Sequence, residues 1–295
     1  MKPFPASVRM VGPGSQPPED EPLNFLPLPS TLSTYVMPQV PEQADPQALN
    51  RVRRVLDEFA RKMAHWDGAG HPASSLLHLD PAAIYALNEV LGSGEVSIRL
   101  RTESEIRIQE SVFAGVWRVL RYGTNGALAA DELVASPIPQ IVLDIARSAA
   151  AGTLPPVNVP AGAMNSPALL TEIRENVRRR TTRSNGHATG PAHVINLSLL
   201  PLTPEDHSVL NLALPVGPVA IMSKSFGNCR VTSTGTRDVW RVQYFNSMQT
   251  MILNTIEIVD LPEVALASDD DLADSHTRIV ELIAWLDESC TTQPS

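Results

Sequence analysis

The chain has 295 residues, of which 43% are hydrophobic and 5% aromatic, and this length suggests about two domains. Its 23 Lys and Arg stand against 32 Asp and Glu, a formal net charge of −9. That balance argues against a general nucleic-acid binder, because neutralising phosphates requires clustered cations. With only Cys229 and Cys290, the chain can form neither a disulfide framework nor an all-thiolate metal site.

Membrane and export signals are absent from the sequence pattern. No apolar run approaches the roughly 18 residues that a transmembrane helix needs. The N-terminal residues contain early prolines and then a polar stretch, without the apolar region of a signal peptide. We therefore expect a cytoplasmic protein without membrane insertion.

Residues 1–45 are predicted to form a Pro-rich, extended N-terminal arm. Eleven of the 26 prolines lie within residues 1–46, and proline is excluded from helix interiors. Apolar side chains are nevertheless scattered through residues 23–42. Two interpretations stay open: a wholly flexible leader, or a leader over 1–22 followed by a segment over 23–42 that docks on another surface. Residues 46–66 then have the apolar spacing of an amphipathic helix.

An internal repeat organises the rest of the chain. When the sequence is shifted by 123 residues, 16 of the 45 positions in 75–119 are identical to those in 198–242 without a gap. Chance would give about three identities with average residue usage. The repeat includes Leu87-Asn88 with Leu210-Asn211, Arg107 with Arg230, and Val-Trp-Arg-Val at 116–119 and 239–242. A period this long with two copies indicates a duplicated domain and not a solenoid.

Each copy is predicted to be an α-β-β-β-β-α unit. Asp80 and Thr203 are suited to cap a helix, because Pro81 and Pro204 follow them. Alternating apolar segments then indicate antiparallel strands. The fold class is therefore α+β, with two tandem homologous units whose antiparallel sheets are covered by helices. We expect a first repeat domain over 46–179 with its leading helix, a linker over 180–191, and a second repeat domain over 192–295.

Patterns typical of catalysis or metal binding are weak in this sequence. The seven histidines show no spacing typical of zinc enzymes, although His65 and His71 beside Asp67 leave a loop metal site open. Cys229 lies within a predicted strand, where packing is the more common role of a cysteine. We therefore predict no catalytic residue, no metal and no cofactor.

The repeated tetrad contains Trp117 and Trp240. Two interpretations stay open for these side chains: a core tryptophan in each copy, or part of a partner-binding surface together with Arg241. The copies diverge directly after the tetrad, which makes 243–257 the candidate functional surface. Its candidate partner-binding residues are Gln243, Tyr244, Phe245, Asn246 and Glu257.

Several segments resemble the hydrogenase expression/formation family called HupH/HyaF. They include Val11–Pro17, Gly94–Ile98, Glu110–Val119, Trp240–Met248 with Ile252–Glu257, and Pro262–Ala267. This resemblance implies a non-catalytic accessory protein for the maturation of uptake [NiFe] hydrogenases. It implies a cytoplasmic chaperone that binds the small, iron–sulfur subunit precursor before export, beside other accessory proteins such as a thioredoxin-like one. Alternatives are an iron- or redox-handling factor in cluster assembly and a scaffold that joins several maturation proteins.

Overall fold

The computed structural model describes residues 45–66, 70–183, 191–224 and 228–291. In these ranges the helices are α1 (Pro46–Ala64), α2 (Pro81–Leu91), α3 (Gln140–Ser148), α4 (Ser166–Arg183), α5 (Pro204–Ala213) and α6 (Asp269–Thr291). The strands are β1 (Ala73–Ser75), β2 (Val96–Arg101), β3 (Glu105–Glu110), β4 (Val116–Tyr122), β5 (Leu128–Ala135), β6 (His193–Asn196), β7 (Val216–Ser223), β8 (Asn228–Thr234), β9 (Val239–Phe245) and β10 (Met251–Ile258). No helix within these ranges has the length and apolar character needed to cross a membrane.

The predicted helix starts are confirmed. In α1 the Asp45 carboxylate accepts a hydrogen bond from the backbone of Gln47, and Pro46 occupies the first turn. Asp80 caps α2 through the Ala83 N–H at 3.0 Å. The buried residues of α1 share a core with α2 and α6, as an amphipathic helix requires.

Most of the predicted N-terminal arm and most of the predicted linker lie outside the described residues. The N-terminal arm, up to residue 44, falls outside the described residues. So do residues 184–190 of the expected linker, while α4 continues to Arg183, inside the range assigned to that linker.

The duplication is visible in backbone hydrogen bonds as well as in sequence. In the β4–β5 turn, Gly123 N–H donates to Ala127 and Gly126 N–H donates to Gly123. In the β9–β10 turn the same two bonds join Asn246 to Thr250 and Gln249 to Asn246. Gly126 and Gln249 both have positive φ, 76° and 60°. The two turns therefore have the same geometry, although one position uses glycine and the other does not.

The strands form one sheet, whereas the sequence predicted a separate sheet in each unit. The ten strands follow the order β1-β5-β4-β3-β2-β7-β8-β9-β10-β6, and every neighbouring pair is antiparallel. The halves meet where β2 pairs with β7, with Ile98 opposite Ile221. This pairing satisfies backbone groups that two separate sheets would leave exposed on their edge strands.

Each half also has a short strand that the predicted α-β-β-β-β-α order lacks. β1 pairs with β5, and β6 pairs with β10. The observed order in each half is therefore helix, short strand, helix and four strands. Segments of three and four residues are too short to show a strand period, and their pairing partners lie about 60 residues away along the chain.

Helices cover both faces of the sheet, whereas the α+β prediction expected them on one face. On one face, α3 packs over the middle of the sheet, against a core that includes Trp117 and Trp240. On the other face, α1, α2 and α6 pack at the β5 end. At the β10 end of that face, the core is formed with α4 and α5. Although α4 begins within the first predicted domain (46–179), it contacts α5 and β10 of the second half, and α6 contacts α1.

Asp206 joins the starts of two helices. Its carboxylate accepts hydrogen bonds from the backbone N–H of Thr203, which completes the capping box of α5. The same carboxylate accepts from Ser166 N–H at 2.8 Å and from Asn165 N–H at 3.0 Å, at the start of α4. Burial alone would raise the pKa of Asp206, but these backbone hydrogen bonds outweigh it and lower the pKa to about 2.

We predict that Asp206→Ala lowers the free energy of unfolding by about 2–4 kcal/mol, because several backbone donors lose their acceptor. A carboxyl whose folded pKa is depressed stabilises the fold above its unfolded pKa, and this contribution is lost as the pH falls toward 2. Urea unfolding at pH 7 and pH 3 tests this: the difference between the two proteins should shrink at the lower pH. Glu205→Ala, at the exposed neighbouring position, is the control, and an equal loss of stability in that variant would contradict the assignment.

Candidate functional site

Trp117 and Trp240 belong to the core. Their exposed fractions are 0% and 2%, and both side chains lie on the α3 side of the sheet. The indole N–H of Trp117 donates to the Ser136 carbonyl at 2.9 Å, and that of Trp240 to the Val259 and Asp260 carbonyls at 3.1 Å. Of the two interpretations, the structure corresponds to the core one. A side chain with no accessible surface cannot contact a partner directly.

The remaining candidates do not form one surface, because successive side chains of a strand point to opposite faces. Tyr244 lies on the α3 side, where it packs against the same core as Trp240. Glu257 is opposite Trp240 in the β9–β10 register, which places it on this side as well. Phe245, the residue after Tyr244, lies on the other side.

Tyr244 and Glu257 surround Cys229 as a largely buried polar cluster. Burial raises the pKa of the Cys229 thiol to about 11, although its hydrogen bond with Tyr244 acts to lower that pKa. Burial likewise raises the pKa of Tyr244 to about 12 and raises that of Glu257 above its ordinary value. The neutral thiol is thus favoured, which is the opposite of what an activated cysteine nucleophile requires.

Arg241, Gln243 and Phe245 lie on the opposite side of the sheet. Gln243 is 3% exposed and donates to the sulfur of Met251 at 3.3 Å. Asn246 lies in the β9–β10 turn, where its side-chain oxygen accepts from the N–H groups of Met248 and Thr250 at 2.9 Å. Of these candidates, Arg241 is the one that belongs to a larger charged surface.

That surface lies in the middle of the sheet, between α2 and α5. The strand register places five arginines, one from each of five strands, on one face of the sheet. Arg99 of β2 lies opposite Arg107 of β3, and Arg118, Arg230 and Arg241 come from β4, β8 and β9. We call these five residues the arginine face. Apolar side chains of the same face continue under α2 at one end and under α5 at the other. The side chain of Arg107 is 53% exposed and that of Arg118 is 20% exposed.

Both halves build the arginine face with the same contacts. Arg118 donates to the side-chain oxygen of Asn88 on α2. Its counterpart Arg241 donates to Asn211 on α5 at 3.0 Å. These asparagines are equivalent under the 123-residue repeat.

A second pair of contacts repeats in the same way. The guanidinium of Arg107 lies 5.2 Å from the centre of the Tyr122 ring, and that of Arg230 lies 5.0 Å from the centre of the Phe245 ring. Both distances are within the range of cation–π attraction. Burial lowers the pKa of the Arg230 guanidinium, which nevertheless stays charged because arginine is not deprotonated in proteins.

The halves differ in the charge that faces these arginines. Arg118 forms a two-point ion pair with Asp131, through its Nε at 2.9 Å and its Nη2 at 2.7 Å. Asp131 is only 2% exposed. At the equivalent position the second half has Asn254, so that position supplies no carboxylate to Arg241. Arg118 is therefore bound into the fold by an ion pair, and the second half lacks the matching acidic residue.

A separate acidic cleft of about 380 Å³ lies beside the β2–β3 hairpin, and Glu95, Glu110, Glu263 and Asp271 line it. Burial raises the pKa of Glu110 to about 7, although hydrogen bonds from the backbone of Gly115 and Val96 act to lower it. In the second half Ser233 Oγ accepts from Val219 N–H, the equivalent of Val96. Glu110 and its counterpart Ser233 thus accept a hydrogen bond from equivalent strand residues, Val96 and Val219. This repeated contact assigns Glu110 a structural role.

Among the residues that the structure describes, no group of three His, Cys, Asp or Glu side chains has an arrangement that could hold a metal ion. The loop that we considered as a metal site includes Asp67, which lies outside the described residues. His65 Nδ1 contacts the Arg61 carbonyl at 2.7 Å, and the His71 ring lies 5.8 Å from the Trp66 ring.

Sequence reasoning missed Asn88, Asn211, Arg107, Arg118 and Arg230 as functional candidates, although a signal for them was present. All five are polar residues identical between the copies. Function was instead predicted at 243–257, where the copies diverge. Identical polar residues at alternate strand positions are a better indicator, because the sheet brings them to one face.

The fold and this face define a class of protein. It is a duplicated α+β protein in which both halves contribute arginines to one charged surface of the sheet. The family model described as "HupH hydrogenase expression protein, C-terminal conserved region" matches residues 49–152 and 163–286. The chain therefore belongs to the HupH hydrogenase expression protein family, as the resemblance predicted.

Individual relatives agree with this assignment. The chain is 40% identical over 288 residues, 97% of this chain and 99% of the relative, to the hydrogenase expression/formation protein HoxQ of Cupriavidus necator. It is 39% identical to the hydrogenase expression/formation protein HupH of Rhodobacter capsulatus, over 92% of this chain and 94% of that protein. A solved structure of the hydrogenase expression protein HupH from Thiobacillus denitrificans is 29% identical, with a TM-score of 0.36 over 41% of this chain and 95% of that one.

We predict that the two equivalent arginines contribute differently to stability. Arg118→Ala leaves the Asp131 carboxylate buried without its cation and should cost about 3–5 kcal/mol. Arg241→Ala removes a hydrogen bond to a neutral amide and should cost about 1 kcal/mol. Urea unfolding with both variants measures the difference, and Asp131→Asn in the Arg118→Ala background should recover part of the loss. Equal costs for the two arginines would contradict this assignment.

Proposed function

We propose that this protein is a non-catalytic accessory factor in hydrogenase maturation that binds the small, iron–sulfur subunit precursor of an uptake [NiFe] hydrogenase. Membership of the HupH family supports the role in maturation, since the relatives are named hydrogenase expression/formation proteins. The names of these relatives do not specify the small-subunit precursor, which is part of our proposal. We infer that binding takes place in the cytoplasm, before export.

The arginine face is the observation that supports a binding role most strongly. It collects five guanidinium groups in a protein whose overall charge is −9, and both halves contribute to it. Arginine is enriched at sites where proteins bind other proteins, because its planar fork forms directed hydrogen bonds. We therefore assign the arginine face as the surface for the precursor, with Arg241 on β9 as its main anchor.

Other maturation proteins belong to the same proposal. A thioredoxin-like accessory protein is the expected second partner, and it would act on the complex of this protein with the precursor. The α1 and α6 helices present a surface away from the arginine face, because their shared core lies at the β5 end of the sheet. Two partners could therefore be bound without competing for the arginines.

We predict that the tagged protein, purified from cells that express the hydrogenase while export is blocked, retains the small-subunit precursor. Quantitative mass spectrometry should find this precursor enriched over the large subunit. Arg241→Glu should reduce its recovery by about tenfold or more, since a charge-assisted hydrogen bond becomes a like-charge contact.

The matched control is Arg54→Glu, the same charge reversal at an exposed position of α1, and it should leave recovery unchanged. Circular dichroism of both variants verifies that they fold. Recovery of no hydrogenase component, or of the large subunit alone, would contradict the proposed function. Stoichiometric iron in the anaerobically purified protein without the precursor would instead favour an iron-handling factor.

A further inference from the structure

The strand register arranges the arginines in two rows that cross the sheet. In the first row, neighbouring strands place Arg107, Arg99, Ala220, Thr232 and Arg241 opposite one another. In the second row they place Arg118, Gln109, Ser97, Met222 and Arg230 opposite one another. Each row therefore begins with an arginine of the first half and ends with an arginine of the second half.

The two rows have the same span. Arg107 and Arg241 are four strand spacings apart, and so are Arg118 and Arg230. At about 4.8 Å per spacing, each pair is separated by about 19 Å. An extended polypeptide advances about 3.3 Å per residue, so about six residues cover the distance. This equality follows from the duplication, because the antiparallel β2–β7 pair relates the two halves by an approximate two-fold rotation.

We propose that the arginine face binds an extended polypeptide segment that runs across the strands and carries carboxylates about six residues apart. The inference rests on the proposed function in one respect: the segment belongs to the precursor. Carboxylates are the ligands that these arginines already take within the chain. Arg107 contacts Glu105 at 2.8 Å, and Arg118 contacts Asp131 at 2.7 Å.

A nucleic acid fits this face less well, although phosphates also bind arginine. Proteins that bind single strands stack bases on exposed aromatic rings. Here the Tyr122 and Phe245 rings are already covered by guanidinium groups. The carboxylates of Glu105 and Asp131 lie among the arginines, and the chain as a whole is acidic, so a densely charged phosphate backbone would be repelled over most of the surface.

Fluorescence anisotropy with synthetic peptides tests the proposal on the full chain. The probe is an extended 12-residue Gly/Ser-rich peptide that has Glu pairs at positions 3–4 and 9–10. The first comparison peptide has the four Glu together in its centre, and the second has Gln in place of Glu. We expect the spaced peptide to bind at least about fivefold more tightly than the clustered one, because it alone reaches both ends of a row. We expect the Gln peptide not to bind.

The variant Arg107→Gln/Arg230→Gln removes one arginine from each row and should weaken binding of the spaced peptide by about tenfold or more. The charge-matched control is Arg54→Gln/Arg174→Gln, two exposed helix positions off the face, and it should bind as the unchanged protein does. Equal losses in both variants would show that binding depends on overall charge and would overturn the proposal. Equal binding of all three peptides, or tighter binding of a single-stranded DNA 12-mer, would overturn it as well.

The precursor purification separates this inference from the proposed function. If the precursor is retained equally by the Arg107→Gln/Arg230→Gln variant and by the unchanged protein, the face is not the binding site and the inference fails while the function stands. If no hydrogenase component is recovered but the spaced peptide binds in the expected order, the inference stands and the proposed function fails.

Discussion

The pairing of β2 with β7 is the contact on which the rest of the structure depends. Each strand is the edge of its own half, and an unpaired edge leaves a row of backbone donors and acceptors without partners in the fold. By pairing Val96–Leu100 with Val219–Ser223, the chain joins two five-strand ladders into one ten-stranded sheet. The same register aligns Ile98 with Ile221 under α3, so the edge pairing also completes the core of the central region.

The position of the arginine face follows from that pairing. On the α3 side the central strands carry apolar residues, whereas on the opposite side the helices cover only the two ends of the sheet. The middle of that side lies at the junction of the halves, and there the arginines of β2, β3 and β8 lie close together. Neither half could form a row of this kind alone, because each row takes its two outer arginines from different copies. The duplication thus gives the protein a site with two equivalent ends, and a partner that spans it must contact both halves.

Local features of the fold could be predicted from the sequence, and long-range ones could not. The helix caps at Asp80 and Thr203 depend on residues within three positions of each other, and both predictions are confirmed. The joining of the sheets depends on two strands about 120 residues apart, whose alternating patterns look the same whether their edges are paired or free. For the site, alternation within β9 could have separated Tyr244 from Phe245. The bonds of Arg118 to Asn88 and of Arg241 to Asn211 each span 30 residues, and the repeat was the only sequence feature that pointed to them.

The most direct test of this account asks whether the two halves unfold as one cooperative unit. Trp117 and Trp240 are buried at equivalent places in the two halves, so each reports on its own half once the other and the outer Trp66 and Trp285 are replaced by Phe. In each single-tryptophan protein, urea unfolding followed by fluorescence is compared with circular dichroism of the whole chain. A sheet joined through β2 and β7 predicts coincident transitions in both proteins. If the fluorescence and circular dichroism transitions occur at different urea concentrations, the two halves unfold independently. That result would contradict the account.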